Sequence, residues 1–263
     1  MRFQLLPSTF RVASPEPTSP ADPQFLTSFL VDDEVVIDAG SIGFAPLEIQ
    51  RRVRHLFLSH SHMDHVASLP LFLENVYTFD DEAVTVYASR DVIECLETHL
   101  FNDRIWPDFI ALSAAAPPFL HVRVVADGEA IAVGEVTVTP IRVDHVVETF
   151  GFVIDGPEAS IAVASDTGPT EQLWRVAASR PHLEAVFLEC SFPESMRWLA
   201  DEAQHLTPAK YAAEIRKIGR PVKNYALHIK PGTRDEVIAE LEAEALPGFE
   251  VGEPGRDYRF PAR

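Results

Sequence analysis

Short apolar runs alternate with amphipathic stretches along this chain. Apolar runs of four to eight residues that end at polar or Gly-containing segments predict β-strands. In the first 155 residues these strands are Phe25–Val31, Glu34–Ile37, His55–Leu58, Val84–Tyr87, Val122–Val125, Val136–Val143 and Phe152–Ile154. Apolar positions at helical spacing predict the helices Pro46–Arg54, Asp64–Thr78 and Asp91–Phe101. Residues 102–118 have no clear period.

The second half repeats a strand-then-helix pattern. Strands are predicted at Ile161–Ala164, Ala185–Glu189 and Tyr225–His228, and helices at Thr170–Ser179, Pro208–Ile218 and Thr233–Ala245. This pattern, with no internal repeat and no break in composition, predicts one α/β domain over residues 1–263 with two β-rich layers between helices. Residues 12–23 contain four prolines and predict an extended surface loop, either a lid or a plain connection.

The charge balance narrows the range of partners. The chain has 22 basic and 40 acidic residues, a formal net charge of −18. Such acidity argues against an extended nucleic-acid partner or an anionic membrane surface, since both require clustered Lys and Arg. It leaves room for a phosphate-handling enzyme whose positive charge comes from metal. No signal peptide or membrane span is visible, and Cys95 and Cys190 suit reduced structural thiols, so a cytoplasmic protein is expected.

The segment Leu58-Ser59-His60-Ser61-His62-Met63-Asp64-His65 is the most informative part of the chain. It places three histidines and one carboxylate within six residues, in a loop between a predicted strand and a predicted helix. Imidazole nitrogen and carboxylate oxygen are the ligands that zinc prefers. The segment therefore predicts a metal site, with solvated loop histidines as the alternative.

Three further ligand-type residues follow predicted strands: His145, Asp166 and His228. A single residue in such a place is more often a cap or a surface residue. Together with the histidine segment, however, the three indicate one metal centre built at strand ends.

The order of these residues resembles that of the metallo-β-lactamase superfamily. This resemblance covers nearly the whole chain and implies a four-layer αββα sandwich with a dinuclear zinc site. By position, one ion would be held by His60, His62 and His145, a second by Asp64, His65 and His228, and Asp166 would bridge them. Asp38 matches a carboxylate that orients ligand histidines, with a role as a turn residue before Gly40 as the alternative.

The residue at position 62 helps to distinguish zinc from iron as the bound metal. Redox members of this superfamily resemble the same pattern but have glutamate where this chain has His62, and a carboxylate-rich site favours iron. In the two-zinc site that the resemblance implies, the histidine therefore favours zinc and a hydrolase, with manganese or iron as alternative metals.

Later motifs resemble the class II cyclic-nucleotide phosphodiesterases. These motifs are Glu189-Cys190-Ser191-Phe192-Pro193, His205-Leu206-Thr207-Pro208 and Leu227-His228-Ile229-Lys230-Pro231. Met63, Pro70 and the pair Leu73-Glu74 depart from that group's signature. The resemblance implies cleavage of a small phosphodiester, in particular a 3′,5′-cyclic nucleotide, by a metal-bridging hydroxide.

The same resemblance suggests individual roles. A histidine at the position of His205 assists the leaving group in the related tRNA 3′-processing endonucleases, with an acid at the position of Glu189 behind it; a helix-start residue is the alternative for His205. Asp64, Glu189 and His205 are the candidate catalytic residues. Trp106, Phe109 and Lys230 are the candidate substrate-binding residues, with a hydrophobic plug and a surface lysine as the alternatives.

Other functions stay open at this point. The same centre suits hydrolysis of an ester, a thioester or a lactone. A tRNA 3′-processing endonuclease is disfavoured because the chain has no basic Gly-rich arm and is strongly acidic. A metal-stabilised interaction protein without turnover is the non-enzymatic alternative, and a homodimer is one expectation for the assembly.

Overall fold

Fourteen strands form two sheets in a computed structural model that describes residues 1–8, 24–77, 83–115 and 118–261. The first sheet has the strand order β14-β1-β2-β3-β4-β5-β6. Its strands are β1 (Arg2–Leu5), β2 (Phe29–Val31), β3 (Val35–Ile37), β4 (His55–Phe57), β5 (Val84–Ala88), β6 (Leu120–Val124) and β14 (Asp257–Arg259). The proline-rich segment 12–23 lies outside the described residues, so its assignment as a lid or a connection stays a prediction.

The second sheet has the strand order β13-β12-β11-β10-β9-β8-β7. Its strands are β7 (Ile131–Val133), β8 (Val136–Val143), β9 (Thr149–Asp155), β10 (Ser160–Val163), β11 (Leu183–Glu189), β12 (Lys223–Leu227) and β13 (Phe249–Val251). Strands β10 to β13 run parallel, whereas β7 to β10 are antiparallel neighbours.

Nine α-helices lie within the described residues. They are α1 (Leu47–Gln50), α2 (Met63–Val66), α3 (Leu69–Val76), α4 (Arg90–His99), α5 (Phe109–Ala115), α6 (Gln172–Ala178), α7 (Arg197–Glu202), α8 (Pro208–Arg216) and α9 (Arg234–Ala243). None of these helices combines the length and the apolar character that a bilayer span requires. Helices α5 and α7, and the strands β1, β7, β13 and β14, were not predicted from the sequence.

The predicted helix Asp64–Thr78 is divided into α2 and α3 at Ser68. The Ser68 hydroxyl donates to Ala39 O at 2.8 Å and accepts from Gly43 N at 2.9 Å, so this residue is held by a neighbouring loop. Pro70 follows in the first turn of α3 and has no backbone N–H to continue the earlier helix. The break therefore comes from tertiary contacts, and it frees the histidine segment to form a separate turn.

Three hydrophobic clusters define four layers. The central cluster lies between the sheets and includes Phe57, Phe152 and Phe187. A second covers the outer face of the first sheet with residues of α3 and α4, and a third covers the outer face of the second sheet with residues of α6, α8 and α9. The layers are helices, sheet, sheet and helices, which confirms the predicted αββα sandwich.

Candidate metal centre

The histidine segment follows β4 and is tied to the loop after β3. Its last three residues, Met63 to His65, begin α2, and two carbonyls of the segment accept backbone hydrogen bonds. Ala39 N donates to His65 O at 2.7 Å, and Thr27 N donates to Asp64 O at 2.9 Å. The four candidate ligands of the segment are thus carried on a backbone that two other loops hold in place.

Gly40 lies where these loops pass close to one another, and its replacement gives a first prediction. A Cβ atom at this position would lie 2.1 Å from Asp64 O and 2.6 Å from Thr27 N, distances that backbone atoms cannot accommodate without moving. We expect Gly40→Ala to lower the Tm by about 5–10 °C, as overpacking costs about 1–3 kcal/mol. Thermal unfolding followed by circular dichroism measures this. Gly232→Ala is the control, because its Cβ would meet no atom within 4 Å, and an equal Tm for both variants would refute the prediction.

The remaining candidate ligands come from the ends of other strands. His145 follows β8, Asp166 follows β10 and His228 follows β12, at the edge where β4 also ends. His228 and Ser165, the residue before Asp166, have positive φ angles of 54° and 55°. A non-glycine residue seldom adopts this conformation, and such strain concentrates at functional sites.

The structure brings the seven predicted ligands together in two groups. One contains His60, His62, His145 and Asp166, and the other contains Asp64, His65, Asp166 and His228; in each, one possible ligand atom per residue lies within 4.8 Å of the others. These are the two sets that the sequence resemblance implied, with Asp166 common to both.

Asp166 lies between the two groups with one oxygen towards each. Its Oδ2 is 3.8 Å from His60 Nε2, and its Oδ1 is 3.3 Å from His65 Nε2. The carboxylate is almost completely buried. A carboxylate with its two oxygens directed at separate clusters has the geometry to be shared by two cations.

The ring nitrogens of the histidines test whether a metal fits this site. His60 Nε2 and His65 Nε2 are buried, and neither makes a hydrogen bond of good geometry, although Asp166 oxygens lie 3.8 Å and 3.3 Å away. His145 Nδ1 lies 3.2 Å from Gln204 O and so carries the proton, which leaves a lone pair on Nε2, 3.3 Å from His62 Nδ1. Buried polar atoms without partners are costly. Several unpaired imidazole nitrogens around buried carboxylates fit a divalent cation.

The protonation of the cluster agrees with this donor set. Burial lowers the pKa of His60, His62 and His145 and so favours the neutral imidazole that binds metal. Burial alone would raise the pKa of Asp166, but His228, His65 and His60 together hold it well below its ordinary value. These shifts favour an ionised Asp166 beside neutral imidazoles at His60, His62 and His145.

His65 differs from these three histidines, because its pKa is raised. Its ring is completely buried, which lowers the pKa, yet Asp166 and Asp38 outweigh burial and raise the pKa well above its ordinary value. His65 Nδ1 lies 2.7 Å from Asp38 Oδ2, the contact that sequence analysis expected of an orienting carboxylate. The surroundings of His65 stabilise positive charge.

His205 and Glu189 form a buried pair beside the clusters. His205 Nδ1 lies 2.6 Å from Glu189 Oε1, and His205 Nε2 lies 4.0 Å from Asp166 Oδ2. Burial lowers the pKa of His205, but Glu189 and Asp166 outweigh it and raise the pKa above its ordinary value. The ring thus presents Nε2 to the centre while Nδ1 is occupied.

The three predicted substrate-binding residues lie in different surroundings. Lys230 Nζ is 3.8 Å from Asp64 Oδ2 and 3.3 Å from His228 Nε2, at the mouth of the centre, and its side chain is 37% exposed. Trp106 and Phe109 instead pack with Phe101 and Phe119 against the outer face of the first sheet, the hydrophobic plug named as their alternative. Base stacking by Trp106 and Phe109 stays a prediction.

Three residues near the centre were given no role by sequence reasoning. The Phe192 ring centroid is 5.7 Å from that of His205, and the hydroxyls of Ser59 and Ser191 contact histidine nitrogens. All three lie inside motifs already singled out: Ser59 directly precedes His60, and Ser191 and Phe192 lie two and three positions after Glu189. Position within a motif was the available signal, but serine and phenylalanine have no metal chemistry that would draw attention to them.

Comparison with known proteins matches this arrangement to one family. Residues 35–229 match the model of the beta-lactamase superfamily domain, a range that contains every candidate ligand. A curated relative, the probable 3′,5′-cyclic-nucleotide phosphodiesterase of Yersinia pestis, is 27% identical over 246 residues, covering 80% of this chain and 69% of the relative.

Solved structures give the same fold. The crystal structure of unliganded yeast PDE1 superimposes with a TM-score of 0.75 at 17% identity, covering 95% of this chain and 96% of that one. The short form of human tRNase Z gives a TM-score of 0.67 at 17% identity, covering 99% of this chain and all of the other. At these identities, the likenesses show the fold alone.

Proposed function

We propose that this chain, which belongs to the beta-lactamase superfamily and is a metal-dependent hydrolase, cleaves small phosphodiesters at a two-zinc centre. The proposed substrate is a 3′,5′-cyclic nucleotide. The curated relatives from Yersinia pestis and Saccharomyces cerevisiae that are named as 3′,5′-cyclic-nucleotide phosphodiesterases support this choice.

One observation carries the proposal: the buried His205–Glu189 pair lies beside a carboxylate that two metal-type clusters share. A phosphodiester requires stabilisation of charge on the phosphoryl group and a proton for the departing oxygen. The clusters suit the first requirement, and His205 suits the second.

His60, His62 and His145 would hold one ion, Asp64, His65 and His228 the other, and Asp166 both. Two divalent ions, when bound, would supply Lewis-acid stabilisation of the phosphoryl oxygens and lower the pKa of water. The imidazole at position 62 favours zinc over the iron of carboxylate-rich sites, which supports zinc as the metal.

His205 is the proposed general acid. Its Nδ1–H donates to Glu189 Oε1, which fixes the ring and favours its protonated form, so that Nε2–H faces the centre. A proton given from Nε2 to the ribose oxygen lets that oxygen leave as an alcohol. Glu189 is held in turn by Thr167 N at 3.2 Å and Ser191 N at 3.0 Å, so the pair is fixed before substrate binds.

Lys230 is the proposed contact to a phosphate oxygen, which gives a second prediction. Its ammonium lies at the mouth of the centre and is partly exposed, where a charge-assisted hydrogen bond contributes about 1.4 kcal/mol. We expect Lys230→Ala to raise the KM for a cyclic nucleotide about tenfold and to change kcat less than about threefold. Steady-state kinetics with saturating zinc measure both.

Lys223 supplies the matched control for this prediction. It is an exposed lysine at the opposite end of β12, the strand that leads to His228. Lys223→Ala should leave KM unchanged, whereas an unchanged KM in Lys230→Ala would show that Lys230 does not bind substrate.

A substrate panel tests the proposed function itself. The zinc-loaded protein is assayed with cAMP, cGMP and bis(p-nitrophenyl) phosphate, and in parallel with a thioester and a lactone. Hydrolysis of the phosphodiesters with a kcat/KM at least about 100-fold above that for the thioester and the lactone supports the proposal. The reverse preference would assign the centre to the acyl substrates that the sequence left open.

A further inference from the structure

Two serine hydroxyls occupy equivalent places on the two sides of the centre. Ser59 lies beyond the end of β4 in the first sheet, and Ser191 lies beyond the end of β11 in the second. Both serines are fully buried. Each lies next to a buried carboxylate, Asp38 for Ser59 and Glu189 for Ser191.

The hydrogen bonds of the Ser191 side define a relay. The Ser191 hydroxyl lies 2.8 Å from Glu189 Oε2, and Ser191 N donates to the same oxygen at 3.0 Å. His228 Nδ1 lies 3.1 Å from the Ser191 hydroxyl. A hydroxyl has one proton, and its shortest acceptor contact here is Glu189. It therefore accepts from His228 Nδ1–H, so the order of donation is His228 to Ser191 to Glu189.

The Ser59 side repeats this wiring. The Ser59 hydroxyl donates to Asp38 Oδ2 at 2.8 Å, Ser59 N donates to Asp38 Oδ1 at 2.7 Å, and His60 Nδ1 lies 2.9 Å from the hydroxyl. In both places the carboxylate also contacts a second histidine directly, His65 in one and His205 in the other.

The relays decide which ring nitrogen has the lone pair. A neutral imidazole carries one proton, and a proton kept on Nδ1 leaves Nε2 free to bind metal. His60 Nε2 is buried without a partner. His228 Nε2 lies 3.0 Å from Asp64 Oδ2, another possible ligand atom of its cluster, and because a carboxylate only accepts, an unprotonated Nε2 can face it only with a cation bound to both. Asp166 Oδ1 is another acceptor near His228 Nδ1, at 3.3 Å. Because this carboxylate is shared by both clusters, we assign the Nδ1 proton to the hydrogen bond with Ser191.

We propose that Ser191 and Ser59 are positioning residues, each of which fixes one metal-binding histidine in the Nδ1–H tautomer by passing its hydrogen bond to a buried carboxylate. Ser191 serves the ion held by His228, and Ser59 serves the ion held by His60. Glu189 then has two tasks, because Oε1 holds His205 and Oε2 holds the relay to His228. The inference rests on the metal centre of the proposed function but not on the choice of substrate.

Zinc binding in the absence of substrate tests the inference. We expect Ser191→Ala to weaken one of the two zinc ions about 10–100-fold, the range for loss of an outer hydrogen bond to a ligand, and the other less than about threefold. Competition with a chromophoric chelator measures the two affinities. Anomalous diffraction at the zinc edge, on crystals at limiting zinc, should show the deficit at the Asp64–His65–His228 position; for Ser59→Ala it should lie at the His60–His62–His145 position.

Ser160 is the matched control, since it is a buried serine whose hydroxyl donates to Asp155 Oδ1 at 2.6 Å, outside both clusters. Ser160→Ala should keep both zinc affinities even if its Tm falls as far as that of Ser191→Ala. If Ser191→Ala does not fold, Ser59→Ala carries the same test for the other ion. Wild-type affinity for both ions in the folded serine variants would overturn the inference. Because no substrate is present, a failure of phosphodiester hydrolysis would leave this result unaffected.

Discussion

His205→Asn is expected to lower kcat for cAMP by about 10²–10⁴-fold, the usual contribution of a general acid, while zinc content stays unchanged. The asparagine amide can still donate to Glu189 Oε1, which His205 Nδ1 now contacts at 2.6 Å, so the buried carboxylate keeps a partner. What the variant loses is Nε2, which faces Asp166 Oδ2 at 4.0 Å and which we propose as the proton donor to the departing oxygen. Steady-state kinetics and metal analysis on the same sample measure the effect.

The leaving group makes this prediction more specific. p-Nitrophenolate departs without a proton, so hydrolysis of bis(p-nitrophenyl) phosphate should fall less than about tenfold in His205→Asn. His99→Asn, on the exposed side of α4, is the control and should leave both rates unchanged. Equal losses for the two substrates would show that His205 is not the acid.

Asp166→Asn should have the largest effect of any single substitution in the centre. The change keeps the shape of the side chain but removes the charge that both clusters share, at 3.8 Å from His60 and 3.3 Å from His65. We expect weaker binding of both zinc ions and a fall in kcat/KM for phosphodiesters of at least about 10³-fold. Metal analysis after dialysis, combined with activity, measures the two losses.

Asp127 gives a control of the same chemistry. It is an exposed aspartate that accepts a hydrogen bond from Arg142 N, outside both clusters. Asp127→Asn should retain wild-type zinc content and activity. An Asp166→Asn protein with two zinc ions and full activity would show that neither zinc binding nor hydrolysis requires the shared carboxylate.

The metal clusters were accessible from sequence because their signal is local. His60, His62, Asp64 and His65 are close in the chain, and His145, Asp166 and His228 each follow a predicted strand. Strands of one sheet that run in the same direction end at one edge, so ligand-type residues after them converge. The chain's membership in the beta-lactamase superfamily and the four-layer sandwich agree with that reasoning.

Structural features that depend on contacts between residues far apart in the chain could not be predicted from the sequence. Strand β1 pairs with β14, whose residues follow more than 250 positions later, and such a register has no local signal. The break between α2 and α3 depends on Ser68 bonding Ala39 from another loop. Trp106 and Phe109 lie in a segment whose apolar positions show no clear period, so sequence alone did not decide between a packing and a stacking role.

The position of the metal clusters also changes how the net charge of the chain is interpreted. The balance of −18 disfavours a polyanion spread over the surface. Asp64 and Asp166 lie within the metal clusters, where two divalent ions would add four positive charges. The acidity therefore restricts the size of an anionic substrate more than its sign.

We propose that a two-zinc centre in this chain hydrolyses a small phosphodiester. The most direct measurement takes one zinc-loaded preparation, determines the zinc-to-chain ratio by elemental analysis, and follows cAMP hydrolysis before and after removal of zinc by a chelator. We predict two zinc ions per chain, hydrolysis to the 5′-monophosphate or 3′-monophosphate, loss of activity on chelation and its return with added zinc. Two bound zinc ions with no hydrolysis of cAMP, cGMP or bis(p-nitrophenyl) phosphate would contradict the account.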